Sequence, residues 1–317
     1  MIVATCPLRI SLVGGSTDHP HFLEKYNTGA VISFPSCLKT YITLHKDVLG
    51  ITQTQKKYIV NYSKREECSH VDDIQNDLVR EVFKFFNVQY STCALTSDIF
   101  SSGSGLASSS SYIIALIKAV VTMHNINISD IEICNIANQL EKKFNPLVGQ
   151  QDFYGSGIGG LKKITFYKDK LPSFTYLKTS IFDNMDMILL FTEKNRLSTN
   201  ILQTINIDKS REHLADVNVL EQYILENNVE NFCKTIRKSW ETKKNTSPHI
   251  CANDLIDLDR KLYLDTNVLA HKLCGAGGGG FFLVFTKKGT VPGMVSTNLY
   301  TKIGLSTTGV TATRLYD

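Results

Sequence analysis

Short runs of apolar and β-branched residues, separated by polar or glycine-containing segments, occupy the first half of the chain and predict strands. These runs lie at Ile2–Cys6, Ile10–Val13, Ala30–Phe34, Thr40–His45 and Tyr58–Tyr62. Apolar residues at helical spacing predict a helix over about Ile74–Phe86. Another helix is predicted from Ser129, where Ser129 and Glu132 form a candidate capping box.

Longer helical patterns are typical of the second half. Helices are predicted at Ser198–Asn227, Val229–Lys244, Leu255–Leu273 and Pro292–Lys302, and strands at Lys163–Tyr167, Met187–Thr192, Phe281–Thr286 and Val310–Tyr316. This mixture indicates a small α+β unit with an antiparallel sheet. A loop near Pro172 favours a domain boundary at about residues 170–182.

The composition of the chain excludes some classes of protein and some classes of binding partner. The 317 residues are 43% hydrophobic and 20% charged, which supports a sizeable core and excludes a disordered chain. The net charge of +4 is spread along the sequence, so we expect no nucleic-acid partner. The most apolar helical stretch, Tyr112–Met123, is interrupted by Lys118 and is too short to span a bilayer. We therefore expect no membrane association.

Eight cysteines are scattered through the chain without a CxxC pair. Zinc ribbons and disulfide frameworks need clustered or arrayed cysteines, so free thiols are expected. Free thiols are typical of a reducing compartment, and the start of the chain shows no basic-then-apolar signal segment. Both features predict a cytoplasmic protein.

A serine- and glycine-rich segment, FSSGSGLASSSS at 100–111, precedes a helical pattern that starts at Tyr112. Its glycines let several backbone N–H groups point at one spot, and the helix adds its positive N-terminus. Together they make an anion site suited to phosphates. Ser108 and Ser109 are candidate ligands for Mg²⁺, which prefers oxygen donors. A flexible serine-rich linker is the alternative, and a Walker A loop is excluded because neither GxxxxGKS nor GxxxxGKT occurs.

The run GAGGGG at 275–280 matches the GxGxxG spacing of dinucleotide-binding loops. Such a loop follows a strand and opens a helix. Here a predicted helix precedes the run and the predicted strand FFLVF follows it, so the context excludes a dinucleotide fingerprint. A hairpin-like glycine turn close to a ligand or to another backbone fits better, and a purely structural turn is the alternative.

Two carboxylates, Glu141 and Asp152, lie eleven residues apart, at the end of a predicted helix and in the segment after it. Of two carboxylates beside a phosphate loop, one can bind Mg²⁺ and the other can accept a proton. On this spacing alone, exposed acidic residues without a role are the alternative. Arg9 and Asp18 are further candidates that need support from elsewhere in the sequence.

Three motifs that occur in a known order carry a resemblance to a protein family. They are PLRISLVGGSTDH at 7–19, SGSGLASSSS at 102–111 and KLCGAGGGG at 272–280, and they resemble motifs of the GHMP small-molecule kinases. VGQQDFYGSGIGGL at 148–161 resembles the branch of this family that contains D-glycero-D-manno-heptose 7-phosphate kinase. Two positions depart from the pattern: Ala107 replaces a glycine of the phosphate loop, and Gln150 stands where the branch often has lysine.

The resemblance implies a two-domain α+β fold. The first domain would be a ribosomal-protein-S5-like α/β domain that binds ATP and substrate, over residues 1–178. The second would be a ferredoxin-like antiparallel sheet with helices, over residues 179–317.

The resemblance also implies roles for individual residues. Asp152 would lie near the acceptor hydroxyl as base or charge partner, Arg9 would pair with it, and Ser109 and Glu141 would bind Mg²⁺. The ATP phosphates would be held by Ser102, Gly103, Ser104, Gly105, Leu106, Ala107, Ser108 and Ser109. The substrate would be held by Gly15, Thr17, Asp18, His19, Arg196, Gly277 and Gly278.

The activity that the resemblance implies is ATP- and Mg²⁺-dependent phosphorylation of the anomeric hydroxyl of a sugar, first of all D-glycero-D-manno-heptose 7-phosphate. A kinase for fucose, galactose or a non-sugar alcohol is one alternative, and a non-catalytic sugar-sensing regulator is another. Arg196 and Lys243 are candidates to hold a substrate phosphate, with solvated surface cations as the alternative. The expected partners are ATP and the sugar, and a homodimer is compatible with the sequence.

Overall fold

Two β-sheets with helices packed on them form the computed structural model of the protein, in which residues 1–100, 103–194, 206–251, 254–293 and 299–316 are described. The strands are β1 Ile2–Val13, β2 Thr28–His45, β3 Tyr58–Asn61, β4 Arg65–Cys68, β5 Thr92–Ser97, β6 Lys162–Tyr167, β7 Ser173–Tyr176, β8 Met185–Phe191, β9 Val268–Leu273, β10 Phe281–Lys287, β11 Tyr300–Ile303 and β12 Thr311–Arg314. The helices are α1 Pro20–Tyr26, α2 Ile51–Thr54, α3 Asp77–Phe85, α4 Ser108–Met123, α5 Asp130–Glu141, α6 Gln151–Gly157, α7 Glu212–Leu225, α8 Val229–Lys244 and α9 Asp254–Leu264.

The first sheet has, within the described residues, eight strands. Six follow the order β12-β1-β2-β5-β3-β4, and β6 and β7 extend the sheet from β2. Strand β12 comes from the end of the chain and pairs antiparallel with β1, with Thr311 opposite Thr5. The last strand thus belongs to the first sheet, and the division of the chain at residues 178 and 179 stays a prediction.

Strand β1 changes the core that it faces near its middle. Its register with β2 shifts between Pro7 and Arg9, at a proline that has no N–H for the sheet ladder. The apolar residues before the shift pack in a first core with α3, α4 and α5: Ile2, Ala4 and Cys6. Those after it pack in a second core with α7, α8 and the second sheet: Leu8, Ile10 and Leu12. Strand β1 therefore links the two cores, and Arg9 lies at the junction.

The second sheet has, in the described part of the chain, four antiparallel strands in the order β11-β8-β10-β9. Strand β10 is buried on both faces, as its continuous apolar sequence FFLVF requires. Leu283 and Phe285 face the second core, while Phe282 and Val284 pack with Trp240 of α8 in a third cluster. The second sheet thus packs against the second core with one face and against the third cluster with the other.

Several predicted helices are confirmed, and the start of α4 differs from the prediction. The capping box of α5 is present, since Ser129 Oγ accepts from the Glu132 N–H and the Glu132 carboxylate accepts from the Ser129 N–H. Helix α4 begins at Ser108 rather than at Tyr112, so the serines belong to its first turn. The hydroxyl of Ser111 donates to the Cys6 carbonyl, so it does not compete with the helix backbone. Among the described residues, no helix is both long and apolar enough to cross a membrane.

Two helix predictions in the second half are wrong, and the α-helix predicted over Ser198–Asn227 is, within the described residues, confined to α7. The segment predicted as one helix over Leu255–Leu273 forms α9 and then strand β9, because a short buried strand and a buried helix have similar apolar patterns. The helix predicted over Pro292–Lys302 is wrong at its end, where Tyr300–Ile303 forms β11. The run 275–280 therefore joins two antiparallel strands, which confirms a hairpin-like turn, named the glycine turn below.

The glycine turn packs directly on the segment that precedes α4, residues 103–107, named the Ser/Gly loop below. A Cβ atom on Gly280 would lie 2.4 Å from the carbonyl oxygen of Ser104. A Cβ atom on Gly105 would lie 2.7 Å from the carbonyl oxygen of Cys274. Both backbones approach this closely because glycine occupies both positions.

We expect Gly280→Ala to lower the free energy of unfolding more than Gly289→Ala. Both glycines have positive φ, +88° and +77°, so each alanine carries a backbone strain of about 1–2 kcal/mol. A Cβ atom on Gly280 would overlap backbone atoms, and that overlap adds roughly 1–3 kcal/mol to the cost of Gly280→Ala. A Cβ atom on Gly289 would meet nothing within 4 Å, so Gly289→Ala carries the backbone strain alone. Urea unfolding of both variants measures the difference, and equal losses would contradict this packing.

Candidate active site

A cavity of about 930 Å³ opens where β1, the Ser/Gly loop, α6, α7, α8 and the glycine turn meet. Its volume lies in the range of small-molecule sites. The lining includes Arg9, Asp18, Ser109, Glu141 and Asp152, so the structure brings together the catalytic and metal-binding candidates of the sequence.

Arg9 connects two walls of the cavity. Its side chain is 4% exposed, and its Nε and Nη2 atoms donate to Asp152 Oδ1 at 2.9 and 2.6 Å. Its Nη1 atom donates to the Gly105 carbonyl at 2.7 Å, and its backbone N–H donates to the Leu106 carbonyl at 3.1 Å. One guanidinium therefore fixes the Ser/Gly loop relative to the Asp152 carboxylate.

Asp152 lies in the first turn of α6, a short helix that the sequence pattern did not predict. The ammonium of Lys162 holds the other end of this helix and donates to the carbonyls of Gly155, Ile158 and Gly160 at 3.4, 2.5 and 3.3 Å. A cation at a helix C-terminus satisfies the last carbonyl groups. Burial lowers the pKa of Lys162 to about 7. Helix α6 is thus anchored at both ends, which positions Asp152.

Asp18 is 1% exposed and is held by the residue next to Asp152. Its Oδ2 accepts from the backbone N–H of Gln151 at 2.9 Å, and its Oδ1 accepts from Gln151 Nε2 at 3.0 Å. Burial raises the pKa of Asp18 to about 6, against the opposing effect of the Gln151 hydrogen bond. Gly149 leaves room for this carboxylate, since a Cβ there would lie 2.1 Å from Asp18 Oδ2.

His19 caps α1 with one ring nitrogen and leaves the other without a partner in the described structure. Its Nδ1 accepts from the His21 N–H at 3.3 Å, while its Nε2 is buried and lacks a hydrogen bond. Burial lowers the pKa of His19 to about 4. The neutral Nε2–H is therefore available to a ligand in the cavity.

Glu141, the last residue of α5, has a buried carboxylate beside the first turn of α4. It is 1% exposed and accepts a hydrogen bond from Ser110 Oγ at 2.8 Å. Burial raises the pKa of Glu141 to about 7, although its hydrogen bond with Ser110 acts in the opposite direction. Ser109, one residue earlier, is exposed and lines the cavity.

The donors around Glu141 fit Mg²⁺. They are oxygens, which Mg²⁺ prefers, and Asn145 beside them has a buried Oδ1 without a partner among the described residues. A positive ion would offset the cost of the buried Glu141 charge. The described residues contain no group of three or more His, Cys, Asp or Glu that could hold a metal. A site with one carboxylate suits Mg²⁺, which keeps several waters and binds substrate phosphates.

Several predicted binding residues do not reach the cavity. The Thr17 hydroxyl is buried and bonds to the backbone of Gly14 and Ala30. Gly277 and Gly278 pack against Ile250, and the N–H of Gly278 donates to its carbonyl at 2.7 Å. Leu106 is fully buried in the second core. Ser102 and Arg196 lie outside the described residues.

The cavity wall also contains residues that the sequence reasoning missed. Gln151, which holds Asp18, immediately precedes Asp152 in a segment that already resembled the kinase branch. Lys272 is the first residue of the third motif and lines the cavity, but the motif by itself predicts only a glycine turn and gives Lys272 no role. His213 also lines the cavity and carries no signal in the sequence, because its helix shows only an amphipathic pattern.

Comparisons with known proteins match this architecture. Residues 77–160 match the family model described as GHMP kinases N terminal domain. The D-glycero-alpha-D-manno-heptose 7-phosphate kinase of Campylobacter jejuni is 28% identical over 304 residues, 89% of each chain. The crystal structure of a D-glycero-D-manno-heptose 1-phosphate kinase from Bacteroides thetaiotaomicron covers 100% of both chains, with a TM-score of 0.76 at 16% identity. Streptococcus pneumoniae phosphomevalonate kinase in complex with phosphomevalonate and AMPPNP has a TM-score of 0.74 at 14% identity, covering 91% of this chain and 92% of its own.

The fold and the matched N-terminal domain define the class of protein: an α+β small-molecule kinase. Residues 77–160 match the N-terminal domain of the GHMP kinases, and the chain is similar along most of its length to a heptose-phosphate kinase. The family and the fold class that the three motifs predicted are thereby confirmed.

We expect Glu141→Gln to stabilise the metal-free protein at pH 8. The pKa of Glu141 rises from 4.5 to about 7 on folding, so the folded state holds the proton more tightly than the unfolded state does. The stability contributed by that proton is fully present below pH 4.5 and is lost as the pH rises to about 7. Glutamine keeps the neutral form at every pH, and the gain at pH 8 is roughly 1–3 kcal/mol.

Urea unfolding in EDTA at pH 8 and at pH 5 tests this expectation. The variant gains more at pH 8 than at pH 5. A gain that does not depend on pH, or a loss at pH 8, would contradict the burial of an uncompensated Glu141 charge.

Proposed function

We propose that the protein transfers the γ-phosphoryl group of ATP, with Mg²⁺, to the anomeric hydroxyl of a sugar, specifically D-glycero-D-manno-heptose 7-phosphate. The observation that carries the proposal is the Arg9 bridge between the Ser/Gly loop and Asp152. A cation and a carboxylate thus lie beside the Ser/Gly loop, and an in-line phosphoryl transfer would use both groups next to a loop that binds phosphates.

The Ser/Gly loop and the start of α4 would bind the ATP phosphates. Gly103, Gly105 and Ala107 all have positive φ, and left-handed residues of this kind occur in the backbone N–H concavities that bind anions. Helix α4 is 16 residues long, and the N–H groups of its first turn favour an anion. The bound nucleotide of the phosphomevalonate kinase, AMPPNP, supports ATP as the phosphoryl donor here.

Asp152 would accept the proton of the acceptor hydroxyl. Both hydrogen bonds from Arg9 go to its Oδ1, and its Oδ2 accepts none from the described residues. That second oxygen is therefore open to a sugar hydroxyl. Arg9 would stabilise the charge on the transferring phosphoryl group.

Glu141 and Ser109 would hold Mg²⁺, which when bound neutralises the charge on the ATP phosphates. Ser110 would orient the Glu141 carboxylate by its hydrogen bond of 2.8 Å. Ser109 is the exposed serine of this turn, so its hydroxyl is the one that the cavity can reach.

Asp18, His19 and Gly15 would contact the sugar. Asp18 and His19 offer an acceptor and a donor from buried side chains that line the cavity, and such pairs suit the hydroxyls of a sugar. The similarity to the Campylobacter jejuni enzyme supports heptose 7-phosphate over fucose, galactose or a non-sugar alcohol. The intact Arg9–Asp152 pair speaks against a regulator that has lost catalysis.

A panel of sugars and sugar phosphates, assayed for ADP release with Mg²⁺ and ATP, tests the proposal. Heptose 7-phosphate should give the highest kcat/KM, and phosphorus NMR of the product should show a phosphate on the anomeric oxygen. Turnover restricted to a non-sugar alcohol, or phosphorylation at another hydroxyl, would overturn it.

We expect Asp152→Asn to reduce kcat by about 10²–10⁴-fold without unfolding the protein, because the amide keeps the shape and loses the basic oxygen. The amide can still accept from Arg9, so the binding of ATP should change little. Asp169→Asn is a matched control on an exposed carboxylate. Measured on preparations of equal stability, a variant that retains most of its kcat would refute the proposed base.

A further inference from the structure

Basic side chains gather on the cavity wall that α7, α8 and β9 form. His213 comes from α7, Lys243 from α8 and Lys272 from β9, and all three line the cavity. His213 and Lys272 are 3% and 6% exposed. Ser239 lies four residues before Lys243, and the two share one face of α8. We call these four residues the basic wall.

The positive charge of Lys272 is not balanced by an ion pair. Its ammonium donates to the carbonyl oxygens of Ser11 and Leu12 at 2.9 and 2.5 Å, and no carboxylate of the described residues forms a salt bridge with it. Asp216 acts on Lys272 from farther away, but Asp216 is already ion-paired with Lys238 at 3.0 Å. A buried ammonium that only carbonyl groups satisfy favours an anionic ligand.

His213 shows that the basic groups are close to one another. Burial lowers the pKa of His213 to about 3, and the charges of Lys243 and Lys272 both add to this effect. Its Nδ1 is buried without a hydrogen-bond partner among the described residues. The ammonium of Lys243 donates to the Gly275 carbonyl, which fixes it at the base of the glycine turn.

Lys272 contacts β1 beyond the position of Arg9, although the charge of Arg9 still acts on it. It is bonded to Ser11 and Leu12, two and three residues beyond Arg9 on β1, which is about 7–10 Å along the strand. A single phosphoryl group does not span that length, whereas a phosphorylated hexose or heptose does.

We propose that the basic wall binds a phosphate monoester on the acceptor sugar, remote from the hydroxyl that faces Asp152. This inference rests on the proposed function and assigns the residues that select a phosphorylated acceptor. Lys243, Lys272 and Ser239 donate to the phosphate oxygens, and the unpartnered nitrogen of His213 completes the donor set. The competing assignment is that these groups contact the γ-phosphate of ATP.

Lys243→Met in the full-length enzyme tests the proposal, with His213→Gln as a second variant and Lys234→Met as the control. Lys234 lies on the same helix, is exposed and pairs with Glu230, so its change removes the same charge away from the cavity. The acceptors are D-mannose and D-glycero-D-manno-heptose, each with and without its terminal phosphate. KM for the acceptor, KM for ATP and kcat are measured for each.

The proposal predicts that Lys243→Met raises KM for the phosphorylated acceptor about tenfold or more, since a charge-assisted hydrogen bond is lost. KM for ATP and kcat/KM for the unphosphorylated sugar change less than twofold, and His213→Gln shows the same selectivity with a smaller effect. Equal effects on both acceptors overturn the basic wall while leaving the sugar kinase intact. An increase confined to KM for ATP also overturns it and assigns the wall to the nucleotide.

Calorimetric titration with mannose 6-phosphate, without ATP, gives a readout that does not need turnover. Binding that is weakened about tenfold in Lys243→Met and unchanged in Lys234→Met supports the basic wall even if no sugar is phosphorylated, which would count against the proposed function alone. Equal binding by wild type and Lys243→Met, with both proteins folded by their urea midpoints, overturns the basic wall.

Discussion

A single buried guanidinium, that of Arg9, holds the reactive part of the molecule together. It bonds Asp152 on one side and the Gly105 carbonyl on the other, so the carboxylate and the Ser/Gly loop have a fixed relation before any ligand arrives. The Arg9 side chain is 5% exposed and the Asp152 side chain is 23% exposed, so water reaches this ion pair only in part and the contact is structural as well as chemical. Because Arg9 lies where β1 passes from one core to the other, the cavity opens at the same place.

Close backbone contact brings the second half of the chain to that site. Gly105 and Gly280 allow the Ser/Gly loop and the glycine turn to contact each other. The glycine turn also accepts a hydrogen bond from Lys243. Helix α6 is fixed by Lys162 at one end and by Asp152 at the other. The residues around the Ser/Gly loop therefore come from segments far apart in sequence that pack through glycines and buried cations.

The sequence predicted the parts of the site that lie inside compact motifs. Arg9, Asp18 and Asp152 were found because the three motifs carry a family resemblance, and the structure places them on one cavity. The local sequence pattern wrongly predicts a helix where β9 lies, because the residues of this strand are buried on both faces. It also missed His213, since only the packing of α7 against the second core brings that side chain to the cavity. Long-range packing of this kind has no local signature.

A double-mutant cycle on Arg9→Met and Asp152→Asn tests most directly whether these two residues act as one unit. kcat is measured for the wild type, both single variants and the double variant, with the free energy of unfolding determined on each preparation. If the two residues act as one unit, the kcat of the double variant is close to that of the slower single variant. Losses that multiply would show that Arg9 and Asp152 work independently and would contradict this account.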